Sequence, residues 1–294
     1  MTKKILIIGS KYSSKNDIKK IHDSFIKHTP KVTLKYWEDI YYSIINSDVS
    51  VGWENYILLE NHPDLVITFG WYRNDPIFPY KDVAYSLALF LKHHNIKFWN
   101  QEMLHQRSTT KLSCMVQLAL EQIPIPNTHF QPVNALSPFQ PPYILKAVAA
   151  SRGQYNYMIT SQREETLIKQ QNRKTFITQE FLPNDHDLRV LCFNAQPKLV
   201  LKRKAICKNS HLNNISQGGK GEWLALEEVS KEVLTLSEKI CKIMKREMAG
   251  IDFIPNESVS FGYSCLEVNS IPQLTSGFDS SHKLTALYEA IKES

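Results

Sequence analysis

The strongest constraint in this sequence is a single aspartate inside an apolar run, Met248-Ala249-Gly250-Ile251-Asp252-Phe253-Ile254. A carboxylate at the centre of a strand is tolerated only when it is paired, hydrogen-bonded or bound to a metal. The chain must therefore bring a partner to Asp252. Tyr263 to Gly277, reading YSCLEVNSIPQLTSG, offers one. Cys265, Leu266 and Val268 read as strand residues, and the two-residue period then turns Glu267 and Asn269 to one face. Asp252, Glu267 and Asn269 together supply the few oxygen donors that Mg2+ takes from a protein, leaving positions for water and phosphate. The plain alternative is two strands with a solvated polar face, against which the apolar flanks of Asp252 argue.

A chain of 294 residues can build two or three units with cores of their own. The net charge of +6 is spread along the chain. That favours an anionic small ligand such as a nucleotide over a dedicated nucleic-acid surface. The five cysteines, Cys114, Cys192, Cys207, Cys241 and Cys265, form no C-x-x-C pair and read as buried reduced thiols. The apolar run before Gly9 is too short for a signal peptide, and no apolar span is long enough to cross a membrane, so a cytoplasmic protein without a membrane partner is expected. Oligomeric state is unreadable.

Taken in order, Ile5 to Ile8 suits the buried first strand of an α/β sheet. A helix follows around Asp17 to His28, with further strands at Val32 to Tyr36 and Leu65 to Phe69. The Gly9-Ser10 turn lacks the further glycines of a dinucleotide fingerprint. Asp82 to His94 has helical spacing, and Ile96 to Trp99 reads as a short edge-like strand. A helix with Ser108 or Thr109 as its cap carries Lys111 in its first turn and ends before Ile123-Pro124.

Tyr143 to Val148 is an apolar strand with Lys146 in its middle, a position where an ammonium must snorkel or meet an anion. The small-residue turn through Gly153 can bring backbone N–H groups to phosphate. Phe176 to Leu182 is another strand, ended by Pro183. Asp187 to Phe193 and Leu199 to Lys204 read as a hairpin about the Asn194-Ala195 turn, carrying Asp187, Arg189, Lys202 and Arg203. Its alternative is a solvated face with cross-strand charge pairs. His211 to Gly221 is loop-like, Leu226 to Arg246 is a core helix, and a last helix lies near Leu284 to Ile291.

This string of parts resembles the ATP-grasp superfamily, in particular ribosomal-protein S6 glutamate ligase and bacterial glutathione synthetase. The matching residues are Lys111, Lys146 with its loop to Gly153, Gln179-Glu180-Phe181-Leu182, Asp187-x-Arg189, Lys202-Arg203, Asn213-Asn214 with Gly218-Gly219, Asp252, and Glu267-x-Asn269-x-x-Pro272. The resemblance covers about residues 100 to 280. It implies an α/β (α+β) ATP-grasp fold behind an N-terminal α/β pre-ATP-grasp domain. The units expected are 1–100, a central subdomain at 101–182 and a C-terminal subdomain at 183–294.

The resemblance also implies roles. Lys111 and Lys146 would hold ATP phosphates, with Gly153 and Lys202 beside them. Gln179 and the backbone of Glu180, Phe181 and Leu182 would bind adenine, and Asp187 the ribose. Asp252, Glu267 and Asn269 would hold Mg2+, or Mn2+ in its place, while Arg189, Arg203 and Asn214 would face the reacting phosphoryl group. The implied chemistry is ATP-dependent carboxylate–amine ligation on an amino acid or peptide, with substrate choice in the first domain and in the loops Arg73 to Pro79 and Lys208 to Gly221. Two departures stand out: the loop after Lys146 is poor in glycine, and Ser270 and Gln273 replace the usual Pro and Gly. A non-catalytic module of the same fold that binds an acidic peptide or nucleic acid, and a phosphotransferase, are the competing readings.

Overall fold

The computed structural model describes residues 3–12, 15–71, 75, 77–105, 110–130, 135–149, 154–172, 174–204 and 220–294. The first hundred residues contain β1 (Ile5–Gly9), α1 (Lys15–Ile26), β2 (Val32–Tyr36), β3 (Tyr41–Ile45), β4 (Asp48–Trp53), β5 (Tyr56–Ile57), α2 (Leu58–Asn61), β6 (Leu65–Thr68) and α3 (Tyr80–His93). β1 is buried throughout and pairs in parallel with β2 and β6, as its unbroken apolar run requires. A Cβ on Gly9 would come within 2.6 Å of Ile18 Cγ1, so the exit of β1 admits α1 only with glycine there.

The expected strand at Ile96 to Trp99 shrinks to one parallel bridge, Phe98 to Val66. Asn95 and Asn100 on either side take positive φ angles and turn the chain away. A small antiparallel sheet, β3-β4-β5, lies outside the parallel one. Its Ile44 and Ile45 are both exposed, which breaks the alternation by which a half-buried strand is recognised.

The next elements are α4 (Lys111–Leu120), β7 (Thr128–Phe130), β8 (Tyr143–Ala147), β9 (Asn156–Ile159), α5 (Gln162–Gln171) and β10 (Phe176–Glu180), with the sheet order β7-β10-β8-β9. Thr110 caps α4 in a reciprocal box with Ser113, whereas the expected caps Ser108 and Thr109 lie outside the described residues. The larger sheet has the order β13-β12-β11-β14-β15. It is built from β11 (Asp187–Phe193), β12 (Gln196–Lys204), β13 (Lys220–Leu224), β14 (Met248–Pro255) and β15 (Tyr263–Asn269), with α6 (Lys231–Met244) between β13 and β14 and α7 (Ser280–Glu293) last. Ser230 caps α6, and Leu226–Glu228 before it is a separate 3-10 turn, so the expected long helix from Leu226 is two pieces.

Two cores flank the large sheet. On one face Leu188, Val190 and Cys192 pack with α6 and with Cys114, Met115 and Leu118 of α4. α4, expected in the central unit, therefore shares the core of the C-terminal sheet. On the other face Leu191 and Phe193 join Leu284, Leu287 and Tyr288 of α7 and Ile5, Ile7 and Phe25 of the first domain in one continuous core. Among the described residues no helix is long and apolar enough to cross a membrane.

Candidate active site

Strand register decides which side chains meet. Asp187 lies opposite Arg203, Arg189 opposite Asp252, and Asp252 opposite Glu267, while Asn269 faces Gly250. With the two-residue period, one face of four adjacent strands then carries Arg203, Asp187, Arg189, Asp252, Glu267 and Asn269. The partner that Asp252 needs is Arg189, which donates to it through Nε and Nη2 at 2.7 Å each. Arg203 binds Asp187 in the same forked way, at 2.6 and 2.8 Å, and its Nη2 stands 3.2 Å from Asp252 Oδ2. The four charges form one neutral chain of ion pairs, buried except for Arg189, which is partly exposed. Burial disfavours the charged form of Asp252, but Arg189 and Arg203 outweigh it and hold the carboxyl below its ordinary value.

The second half of the site comes from the smaller sheet. Lys146 on β8 is only 8% exposed, and its ammonium donates to Gln179 Oε1 on β10 at 2.6 Å. Gln179 in turn donates to the Thr128 hydroxyl on β7 at 2.8 Å. Burial pushes Lys146 down to about 8; Glu267 and Asp252 oppose the shift and Lys111 adds to it. Those influences place the two lysines and two carboxylates in one neighbourhood, with the Lys111 amide at the start of α4 held by the Val148 carbonyl at 3.3 Å. Glu180 closes β10 by accepting from the Asn127 backbone and side-chain amides at 2.9 and 2.8 Å.

Several expectations change. Asp187, expected at a ribose, spends both oxygens on Arg203. Lys202 lies opposite Leu188 and Glu222, on the other side of its strand from Arg203, so it stands outside the ion-pair chain. Gln179 touches Lys146 rather than standing open for a base. β10 ends at Glu180, which leaves Phe181 and Leu182 beyond the strand. Gly153, Asn213, Asn214, Gly218 and Gly219 lie outside the described residues, as do Arg73, Asn74 and Pro76 of the first loop expected to choose substrate and most of the second.

Three residues escaped the sequence reading. Arg246 pairs with Glu102 at 2.9 Å and donates to the Val268 carbonyl between Glu267 and Asn269, tying the segment that follows the first domain to that strand. Trp223 stacks on His282, with ring centres 5.2 Å apart. Lys283, on α7, donates to the carbonyls of Gln273 and Ser276 in the loop after β15. Only a lysine within an apolar helix stripe, at a four-residue step from Leu287, could have flagged the last.

The RimK-like ATP-grasp domain matches residues 108–291. The chain belongs to that family. Its fold is correspondingly that of ATP-dependent carboxylate–amine ligases. The ATP-grasp ligase PsnB complexed with a minimal precursor superposes with a TM-score of 0.71 over 99% of this chain and 100% of that one, at 14% identity. The macrocyclase MdnC from Microcystis aeruginosa MRC, bound with precursor peptide MdnA, gives 0.64 at 13% identity over 99% and 100%. D-alanine–D-alanine ligase from Bacillus anthracis, complexed with ATP, gives 0.62 at 14% identity over 99% and 97%. No curated protein matches the sequence.

Within this ATP-grasp frame the donor set can be tested against a divalent cation. Glu267 and Asn269 have no hydrogen-bond partner for their side chains among the described residues and share a face with Asp252. Two oxygen-bearing groups are therefore available. Asp252 fits as a third only by sharing oxygens that already accept from two arginines, which a carboxylate's spare lone pairs allow. Among the described residues no three His, Cys, Asp or Glu side chains cluster as a metal site, and a third side-chain oxygen beside those of Asp252 and Glu267 would have to come from the Asn269 amide.

Proposed function

We propose that this ATP-grasp protein is an Mg2+-dependent ligase that activates a carboxylate as an acyl phosphate and joins it to an amine, with a peptide as the substrate it modifies. The observation that supports this reading best is the position of Lys146: a buried ammonium with an amide as its one hydrogen-bond partner among the described residues, in the same neighbourhood as Glu267 and Asp252. A buried cation so placed calls for an anion, and a triphosphate chelated by a metal on the opposing carboxylates supplies it. A peptide substrate is favoured because PsnB and MdnC are both seen with precursor peptides.

In this reading Lys146 and Lys111 neutralise phosphate oxygens, and the backbone beyond Glu180, at Phe181 and Leu182, meets the base. Glu267, Asn269 and Asp252 would hold Mg2+, which when bound neutralises charge on the transferring phosphoryl group. Arg189, kept in place by Asp252, presents its remaining edge to the reacting carboxylate, and Asn214 is assigned to the same end. Arg203 orients Asp252 through the ion-pair chain. Phosphoryl transfer is catalysed by positioning and charge neutralisation, so no protein nucleophile is required.

The test is ATP turnover, read as ADP release with peptide pools and Mg2+, followed by mass spectrometry of the product. A mass loss of one water per new amide supports the reading. ADP release with a gain of phosphate on the peptide points to a phosphotransferase.

A further inference from the structure

The antiparallel sheet β3-β4-β5 packs with α3 on the far side of β1 and ends in an uncovered hairpin. Asn46 and Ser47, both at positive φ, make the tight turn that joins β3 to β4. Register sets Tyr42 opposite Val51 and Ile44 opposite Val49, so these four share one face. The inner half of that face is covered: Val51 is buried, and Tyr42 donates to the Val83 carbonyl of α3 at 2.8 Å. The outer half is bare, with Ile44 71% and Val49 42% exposed, and Ile45 on the reverse face is exposed as well. The apolar face of the hairpin runs on past the body of the domain.

β3 is also an open edge. Among the described residues it pairs with β4 alone, which leaves alternate N–H and C=O groups of Tyr41–Ile45 without a ladder partner. Exposed edges are ordinarily guarded by lysine, proline or a bulge, and β3, reading YYSII in unbroken register, has none of them. The charge around it is one-sided. From Tyr36 to Tyr72 the sequence holds six acidic residues and no lysine or arginine, in a chain of net charge +6. Asp39 is taken by Lys11, and Lys35 reaches only the Glu54 carbonyl, at 3.1 Å. Asp48, Glu54 and Glu60 are exposed and have no ion-pair partner among the described residues. An open, apolar, acidic edge fits an extended segment that carries aliphatic side chains and positive charge. A second copy of the same edge fits it badly, because two acidic sheets repel.

The hairpin springs from the side of the first domain that meets the reaction centre. β3 begins just beyond the C-terminal end of β2, at the edge of the parallel sheet from which α1 leaves. Asp17 of α1 accepts from the Thr275 hydroxyl, in the loop after β15, at 2.5 Å. We propose that the open edge of β3 takes up a cationic, aliphatic strand of the peptide substrate, holding it by a segment away from the residues that react. The proposal rests on the ligase reading above, which supplies the peptide. It adds to that reading a docking surface on the first domain and the charge and pattern of the segment that binds there.

The experiment uses the full chain and follows the fluorescence anisotropy of labelled N-acetyl heptapeptides in which valine alternates with lysine or with glutamate, with Mg-ADP titrated in parallel. Each exposed ion pair is worth only a few-fold, so several together should let the lysine peptide bind about tenfold or more tighter than the glutamate peptide, and salt should erode the difference. Methylating alternate backbone nitrogens of the lysine peptide removes its strand-pairing donors and should abolish binding. Ile44→Lys removes an apolar contact and adds repulsion, and should weaken binding about tenfold; Asp48→Lys should weaken it about threefold. Both residues are exposed, so both variants should keep the wild-type melting temperature and Mg-ADP affinity. Equal binding of the two peptides, a preference that survives both substitutions, or binding indifferent to backbone methylation overturns the docking surface. So does a wild-type dimer that Ile44→Lys dissociates, since a second copy would then hold the edge. Failure of Mg-ADP to bind the wild type instead overturns the ligase reading, so the two failures are distinguishable.

Discussion

The two halves of the candidate site handle buried charge in opposite ways. On the large sheet Asp187, Arg203, Asp252 and Arg189 neutralise one another within the protein. On the small sheet Lys146 has a neutral partner, Gln179. The first half is preorganised before any ligand arrives, and its geometry is fixed by two guanidinium forks. The second is held in an unfavourable state that a polyanion relieves. A site built this way keeps its architecture in one sheet and its demand for nucleotide in the other. Mutations should accordingly damage folding on one side and binding on the other.

The largest effect should come from Asp252→Ala. Removing one member of a buried ion-pair chain leaves two guanidinium groups under-compensated, and urea unfolding should show a loss of about 3–5 kcal/mol. Lys146→Met should behave in the opposite manner. It should lower ATP turnover on the order of 10²-fold, as for loss of one electrostatic contact in a water-excluded site, while leaving the ligand-free protein at least as stable. The sign follows from its titration. With the folded ammonium near 8 and the free one at its ordinary 10.5, the unfolded chain binds more protons between those values. The burial penalty is complete below pH 8 and fades as pH rises towards 10. Wild-type stability from this group should climb over that window, and the climb should be smaller in Lys146→Met, with Lys283 supplying what remains.

A middle-sized effect is expected at Gly250, which faces Asn269. A Cβ there would stand 3.1 Å from Pro272 Cβ. Gly250→Ala should therefore cost about 1–3 kcal/mol by overpacking, read as a lowered melting temperature. It should also shift the loop that carries Gln273 and Ser276. The smallest effect should be that of Lys202→Met. Its side chain lies across the strand from the ion-pair chain, so stability should change by no more than about 0.5 kcal/mol and ATP turnover far less than in Lys146→Met.

How far the sequence could be read depends on the kind of signal each part carries. Asp252 and Lys146 were legible because a charge at the centre of an apolar strand breaks the hydrophobic pattern and demands an explanation. The Glu267 and Asn269 pair followed from period two, and the hairpin about Asn194 and Ala195 from turn chemistry, both residues taking positive φ. The partners of these charges were not legible. That Asp187 would be taken by Arg203, or that Lys202 would face away, depends on register between strands, which shifts at a bulge after Leu191 and another after Asp252. α4 shows a related limit: its apolar stripe announces a core, but only the tertiary fold says which sheet supplies it. Lys283 was missed because a lysine in a surface-type helix is ordinarily solvated.

In the proposed function, nucleotide is gripped between Lys146 on one sheet and Glu267 with Asn269 on the other. Calorimetric titration of ADP, with and without Mg2+, into the wild type, Lys146→Met and Glu267→Gln tests it most directly. Mg2+-dependent binding to the wild type is expected, with affinity at least about tenfold weaker in each variant and melting temperatures unchanged or raised. Binding that ignores Mg2+, or that is equally tight in both variants, would contradict it.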